Sequence, residues 1–281
     1  MKYVLLQAYG DNVISLSMLS RLGGKIDVIG TRLTQEVARL LELEDKFNIH
    51  VLFDDVPGFY NVRKGGVFKA LKDLNIFRKY ARRNRSEGLV FEKDDFRAAV
   101  LAFGLADYHA SKVSSQVYIN RKNLFEKVSN STLALRPAVR PQAVRKVLIN
   151  PLARAGKRNI GDADLDAMLQ VLKAQGLSIE LIDHTGEFAR YRERVDAYYG
   201  NTTLDALKAL IKGCDFFIGT DSFPIHLAYY FEKAFCIIFN FEYFDFLPPG
   251  SECLDNYVIT DRMTEKQYGY AEKFRSLGVI R

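Results

Sequence analysis

Short apolar runs alternate along this chain with stretches in which apolar residues return every third or fourth position. The runs Lys2–Ala8, Lys25–Thr31 and Asn48–Phe53 predict buried strands. After the first run, Tyr9-Gly10-Asp11-Asn12 reads as a turn. Val13, Ile14, Leu16 and Leu19 then mark the apolar side of a helix reaching about Leu22, where Gly23–Gly24 stops it. Leu33–Leu43 predicts a second helix. Such alternation implies crossover units on a parallel sheet. Beyond a loop at Asp54–Gly58, the pattern predicts a long basic amphipathic helix over Val62–Arg83, broken at Gly65–Gly66. A strand over Gly88–Glu92 and a helix over Phe96–Phe103 follow, and Ile119–Leu135 fits neither period.

Arg136-Pro137-Ala138-Val139-Arg140-Pro141 carries two prolines and no apolar period, so it reads as a connector between domains. The alternation then starts again. Lys146–Asn150, Ser178–Asp183 and Phe235–Phe239 predict core strands. Helices are expected from Ala163 to about Ala174, with Asp162 as cap, and over Asp205–Ile211. Asn240–Gly250 reads as an aromatic loop, Asn256–Thr260 as an edge strand and Thr264–Leu277 as a terminal helix. The expected division is a first doubly wound domain over 1–140, a second over 141–262, and a tail over 263–281.

Composition narrows the class without changing this picture. The 281 residues are 48% hydrophobic and 26% charged, a globular balance. No apolar run is long enough to span a bilayer, and the first residues lack the cleavage pattern of a signal peptide. The three cysteines, Cys214, Cys236 and Cys253, have no metal-ligand spacing and read as free thiols in a reducing cytoplasm. The four histidines, His50, His109, His184 and His226, are far apart. Asp162-Ala163-Asp164 and Asp164-Leu165-Asp166 fall at a helix start and read as capping residues, so no metal site is expected. The net charge of +6 is concentrated in Arg63–Lys64, Lys69, Lys72, Arg78–Lys79, Arg82–Arg83 and Arg85. A solvated helix face accounts for such a run as well; as a binding surface, the lack of any stacking motif of an RNA-binding fold favours an anionic saccharide or membrane surface over nucleic acid.

The most informative stretch is Cys214–Ala228. A buried strand ends at Gly219, Thr220–Asp221–Ser222 turns the chain, and a helix begins near Pro224. Where a strand's carboxyl end meets a helix's amino end, free N–H groups and the helix dipole bind anions. His226 falls on the first turn of that helix. A purely structural reading, with Asp221 and Ser222 as caps and His226 as a packing residue, uses the same spacing.

This stretch resembles the donor-binding segment of glycosyltransferase family 9, the lipopolysaccharide heptosyltransferases. Gly200-Asn201-Thr202-Thr203-Leu204-Asp205-Ala206-Leu207 upstream and Phe235-Cys236-Ile237-Ile238-Phe239 downstream extend the likeness. So do Val4–Ile14 at the start and Leu148-Ile149-Asn150-Pro151 with Lys157-Arg158. One position departs: Phe223 stands where the family has Gly. The resemblance implies an α/β fold of GT-B architecture, two Rossmann-like doubly wound domains facing a central cleft, with the tail over 263–281 packing back on the first. It implies an inverting, metal-independent transfer of heptose or a related sugar from a nucleotide-diphosphate donor, with ADP-heptose the expected one. The acceptor would be a lipopolysaccharide core or other surface saccharide, without cofactor, at the inner face of the inner membrane.

Under that resemblance Asp11 is the catalytic base, with Gly10, Arg63 and Lys64 on the acceptor side. Lys157 neutralises phosphate, with Arg154 or Arg158 as substitutes. Thr220, Asp221, Ser222 and the Phe223 backbone cradle the pyrophosphate, and His226 donates to it. Because a carboxylate repels pyrophosphate, Asp221 is expected to orient a donor instead. Glu187 receives the ribose hydroxyls, with Asp183 as its rival. Two other readings fit the same architecture: a nucleotide-sugar epimerase, and a non-catalytic protein that binds a nucleotide sugar or saccharide.

Overall fold

The computed structural model describes residues 1–60, 62–84, 88–94, 96–102, 108–112, 116–239, 245–260 and 269–281. The chain forms two compact units, Met1–Leu135 and Arg136–Arg281.

The first unit runs β1 (Lys2–Leu5), α1 (Tyr9–Leu19), β2 (Ile26–Thr31), α2 (Arg32–Leu40), β3 (Phe47–Phe53), α3 (Val62–Arg83), β4 (Leu89–Asp94), α4 (Phe96–Ala102), β5 (Tyr108–Lys112) and α5 (Val117–Ser129). Its sheet has the order β3-β2-β1-β4-β5, and every pairing is parallel. The reversal at β1 makes the end of that strand a topological switch point, where open parallel sheets bind ligands. Val4, Leu6, Ile29, Phe77, Leu89 and Phe91 form a buried core with the helices. Tyr9–Asn12, expected as a turn, is instead the first turn of α1. Asn12 closes it: its amide donates to the carbonyls of Gln7 and Ala8, at 3.0 and 3.2 Å.

The second unit runs β6 (Lys146–Asn150), α6 (Asp162–Ala174), β7 (Ser178–Asp183), β8 (Ala197–Gly200), α7 (Leu204–Gly213), β9 (Phe216–Gly219), α8 (Phe223–Tyr230), β10 (Ala234–Phe239), α9 (Ser251–Leu254), β11 (Tyr257–Ile259) and α10 (Tyr270–Ser276). Its sheet, β11-β10-β9-β6-β7-β8, is again parallel throughout. The strands Val147–Asn150, Phe216–Gly219 and Ala234–Phe239 are buried along their whole length, as a sheet covered on both faces requires.

Two expectations need correction. The tail, for which packing on the first unit was expected, buries its aromatic face in its own unit. Tyr270, Phe274, Leu277, Val279 and Ile280 are buried with Val147, Leu165 and Phe216 in the second unit's core. Residues 261–268, which include the first part of the expected helix, lie outside the described residues. The expected connector Arg136–Pro141 is fastened to the second unit. Ala138 N–H donates to Pro249 C=O at 2.9 Å, Tyr229 donates to Arg136 C=O, and Arg140 donates to Ser276 C=O at 3.1 Å. Gly250 completes this seam at φ 83°, with Ala138 N only 3.0 Å from where a Cβ would stand. Second, Asp162 does not cap α6, which starts one residue earlier than expected. Its carboxylate instead takes hydrogen bonds from Arg190 and, at 3.2 Å, from Tyr191.

Cys214 and Cys236 are buried, Cys253 is exposed, and all three are free. Burial pushes the thiols of Cys214 and Cys236 up to about 12. No helix among the described residues is long and apolar enough to cross a membrane.

Candidate functional site

In the second unit, the loops after β6, β7 and β9 leave the same edge of the sheet, because those strands are parallel and β9, β6 and β7 are neighbours. Side chains tie the three loops together. Arg158 Nη1 donates to Asp221 Oδ2 at 2.9 Å, joining the β6 loop to the turn after β9. Asn159 Nδ2 donates to Glu187 Oε2 at 3.0 Å, joining it to the loop after β7. Asn159 also accepts from Ala153 N–H at 2.8 Å, which folds the β6 loop back on itself.

Asp221 is buried, with its side chain 6% exposed, and the guanidinium facing it is 26% exposed. The sequence led us to expect that Asp221 orients backbone N–H groups or another donor; its carboxylate pairs with the Arg158 guanidinium. Lys157 sits beside Arg158 on an exposed helical turn over Gly156–Arg158.

The turn after β9 differs from a simple capping turn. Ser222 occupies the N-cap position of α8 with extended backbone, yet its side chain makes no capping bond. Its hydroxyl lies 3.4 Å from Thr220 C=O. Pro224 fills the first turn, as its missing N–H allows. Phe223 has helical backbone, so the position makes no demand for a left-handed glycine. His226 is buried on that first turn, its ring 6.3 Å from the ring of Phe246. Two buried oxygens at neighbouring strand ends, Thr220 Oγ1 and Asn150 Oδ1, have no hydrogen-bond partner among the described residues.

Asp183, the rival to Glu187, is committed elsewhere. It accepts from Phe188 N–H at 2.7 Å, Gly186 N–H at 2.9 Å and Tyr198 OH at 2.6 Å, and it lies 3.2 Å from Thr185 Oγ1. Burial alone would raise this carboxyl, but the donors outweigh it and hold it below the ordinary value. A depressed folded-state value stabilises the fold above the unfolded value of about 4, and that stabilisation is lost as pH falls through the folded value. Asp183→Asn is therefore expected to flatten the acid limb of stability against pH, read as melting temperature from pH 5 downwards.

Glu187 is exposed at the rim of the same loop. Beside it, where β8 runs into α7, a cavity of about 340 Å³ opens between Tyr199, Asn201, Thr202, Thr203 and Leu210. Sequence reasoning gave this cavity no role. Its signal was Gly200-Asn201-Thr202-Thr203, a polar turn in which Asn201 takes φ 49°.

The first unit contributes a second cluster. Asp11 lies in the first turn of α1, just beyond the switch point, with its side chain 16% exposed. Arg121 of α5 grips it twice: Nη1 donates to Asp11 C=O and Nη2 to Oδ1, each at 2.6 Å. That guanidinium is itself 1% exposed and lies 3.4 Å from buried Glu92 Oε1, which also receives the Ser15 hydroxyl. Arg121 was not foreseen: it falls in the ambiguous segment, and its partner is 110 residues away. Gly10 lies in the same turn of α1. Arg63 and Lys64 fall in the first turn of α3, but their side chains lie outside the described residues.

Among the described residues, no group of three or more His, Cys, Asp or Glu is placed to hold a metal ion. The Asp162–Asp166 run is engaged in other bonds: Asp164 accepts from Tyr270 OH at 2.7 Å and Asp166 pairs with Arg194.

Two parallel doubly wound units in succession define the GT-B fold of nucleotide-sugar glycosyltransferases. Solved structures share it. A family 9 glycosyltransferase from Veillonella parvula matches with TM-score 0.61 at 11% identity, over 100% of this chain and 90% of its own. E. coli heptosyltransferase WaaC with ADP matches with TM-score 0.60 at 14% identity, over 85% and 87%. E. coli ADP-heptose LPS heptosyltransferase II matches with TM-score 0.55 at 14% identity, over 92% and 89%. At the level of sequence, no protein-family model and no curated protein matches the chain.

Proposed function

We propose that the chain is an inverting, metal-independent glycosyltransferase that takes a heptose or related sugar from an ADP-linked donor. The observation that carries this reading is the knot of loops after β6, β7 and β9. It sets Arg158 against the Asp221 carboxylate at the turn before α8, with Lys157 next to it in the chain. A leaving nucleotide diphosphate needs positive charge arranged in advance, and this turn supplies it. Thr220 Oγ1, Ser222 and His226 add side-chain donors at the same turn. Glu187 receives ribose hydroxyls at the rim, and the cavity over Tyr199–Leu210 receives the base.

In this mechanism Asp11 takes the proton from an acceptor hydroxyl. The freed oxygen pair attacks the anomeric carbon from the face opposite the donor phosphate. The bond from that carbon to the diphosphate oxygen breaks, and ADP leaves with its new charge met by Lys157 and Arg158. Configuration inverts because attack and departure are on opposite faces. Arg121 positions Asp11 and does not touch substrate. The acceptor in this reading is a lipopolysaccharide core or other surface saccharide, reached at an anionic membrane surface.

Binding of the donor nucleotide is the first test. ADP at a hundred times its dissociation constant stabilises the folded state by about 2.7 kcal/mol, so the melting temperature rises. Lys157→Ala with Arg158→Ala is expected to remove that rise at the same concentration. If neither ADP nor an ADP-sugar shifts the parent protein's melting temperature at millimolar concentration, the donor reading falls.

A further inference from the structure

The outward face of α3 is built differently from the rest of the surface. Gly66 adopts φ 73° and ψ 165°, which breaks the helix there and starts a fresh run at Val67. From Val67 to Arg83 that run is about 25 Å long at 1.5 Å per residue. Its inner side is fixed. Phe77 and Ala81 are buried in the first unit's core with Leu74 packed against it, and Asp73 accepts from Gly58 N–H at 2.7 Å.

The opposite side, at helical spacing, presents Phe68, Lys69, Leu71, Lys72, Ile76, Lys79, Arg82 and Arg83 to solvent. Phe68 is 91% exposed, Val67 62% and Leu71 57%, a patch of large apolar side chains at one end of the run. Asp73 is the run's single acidic residue, and it faces inward. Five cations, with apolar side chains among them, therefore share one face.

We propose that this face of α3 docks the protein onto an anionic lipid bilayer, with Phe68, Val67 and Leu71 entering the headgroup boundary. Apolar side chains in the plane of a cationic helix face are what partition into a bilayer surface while Lys and Arg meet lipid phosphates. A nucleic-acid backbone would satisfy the cations but leave the aliphatic Val67 and Leu71 in water, because neither stacks on a base or bonds its edge. The inference rests on the membrane-surface acceptor of the proposed function and names the face that meets that surface. Its readout is binding to lipid, so it stands or falls whether or not sugar transfer is found.

The test is co-sedimentation of the full chain with vesicles of phosphatidylcholine alone or mixed with phosphatidylglycerol. Binding is expected only to the mixed vesicles and is expected to weaken as salt is raised, since added ions screen the cations. K69Q/K72Q/K79Q is expected to lower the partition constant about a hundredfold, each cation near the surface contributing about fivefold. Phe68→Ser is expected to lower it about tenfold at low salt, where the cations still act. All four positions are on the solvent side, and the far-ultraviolet circular dichroism and melting temperature of each variant check that it folds. Absence of binding to mixed vesicles, or equal binding by the triple variant, overturns the proposal. So does tight, variant-sensitive binding of a single-stranded oligonucleotide with no binding to vesicles.

Discussion

Asp11→Asn is expected to lose about a thousandfold in kcat for sugar transfer, within the 10²–10⁴ range that general-base groups supply. Asn keeps the size and one oxygen, so Arg121 retains an acceptor at the position of Oδ1 and the first turn of α1 keeps its shape. What it lacks is the ability to take a proton. Because the donor loops belong to the second unit, ADP should protect the variant against heat as it does the parent. Initial-rate measurements with donor and acceptor both varied separate these effects: kcat falls and KM for the donor holds. Transfer by the folded variant at close to the parent rate would remove Asp11 from the chemistry.

The second large effect is on stability. Arg121→Met is expected to cost about 3–5 kcal/mol, because it takes the cation from between two carboxylates and leaves one of them deeply buried. Glu92 is the critical partner, with its side chain 2% exposed and beyond the reach of bulk water. Met has nearly the length to fill the space, so the loss reports charge and hydrogen bonding more than volume. Urea unfolding of the parent, Arg121→Met and Arg121→Met/Glu92→Gln measures it. The double variant should recover a large part of the loss, since a neutral amide can stay buried where an unpaired carboxylate cannot. A double variant no more stable than Arg121→Met would show that the guanidinium matters through packing instead.

These two residues illustrate what the chain discloses before it folds. The place of Asp11 was legible, because the apolar run of β1 ends just before it. The core strands of the second unit were legible for a similar local reason: each is a continuous apolar run between polar turns. Arg121 was not. Nothing within a helical turn of it signals that it will be buried, and burial is acceptable only because Asp11 and Glu92 arrive from elsewhere. The strands β5 and β8 escaped for another reason. Tyr108–Lys112 and Ala197–Gly200 are edge strands and lack the apolar run that marks the centre of the sheet.

Capping was misjudged for a physical reason as well. Asp162, Asp221 and Ser222 all have side chains suited to closing a helix end, and none does so. Arg190 and Arg158 compete for the two carboxylates, and a full charge outbids a backbone N–H. At α8 the result is an N-cap serine whose side chain makes no capping bond, a feature that short-range spacing does not separate from one that does. The aromatic side of α10 is buried with the second unit's strands, and no local spacing in the tail marks that partner.

The placement of the three sulfurs has a practical outcome. Cys214 and Cys236 are sealed in and remain protonated at neutral pH, whereas Cys253 stands in water. A maleimide dye offered to the native protein will therefore settle on one atom, with no engineered cysteine and no background from the others. That atom belongs to α9, directly after the seam at Gly250, so a fluorophore there gives an optical readout from the second unit of an otherwise unaltered chain.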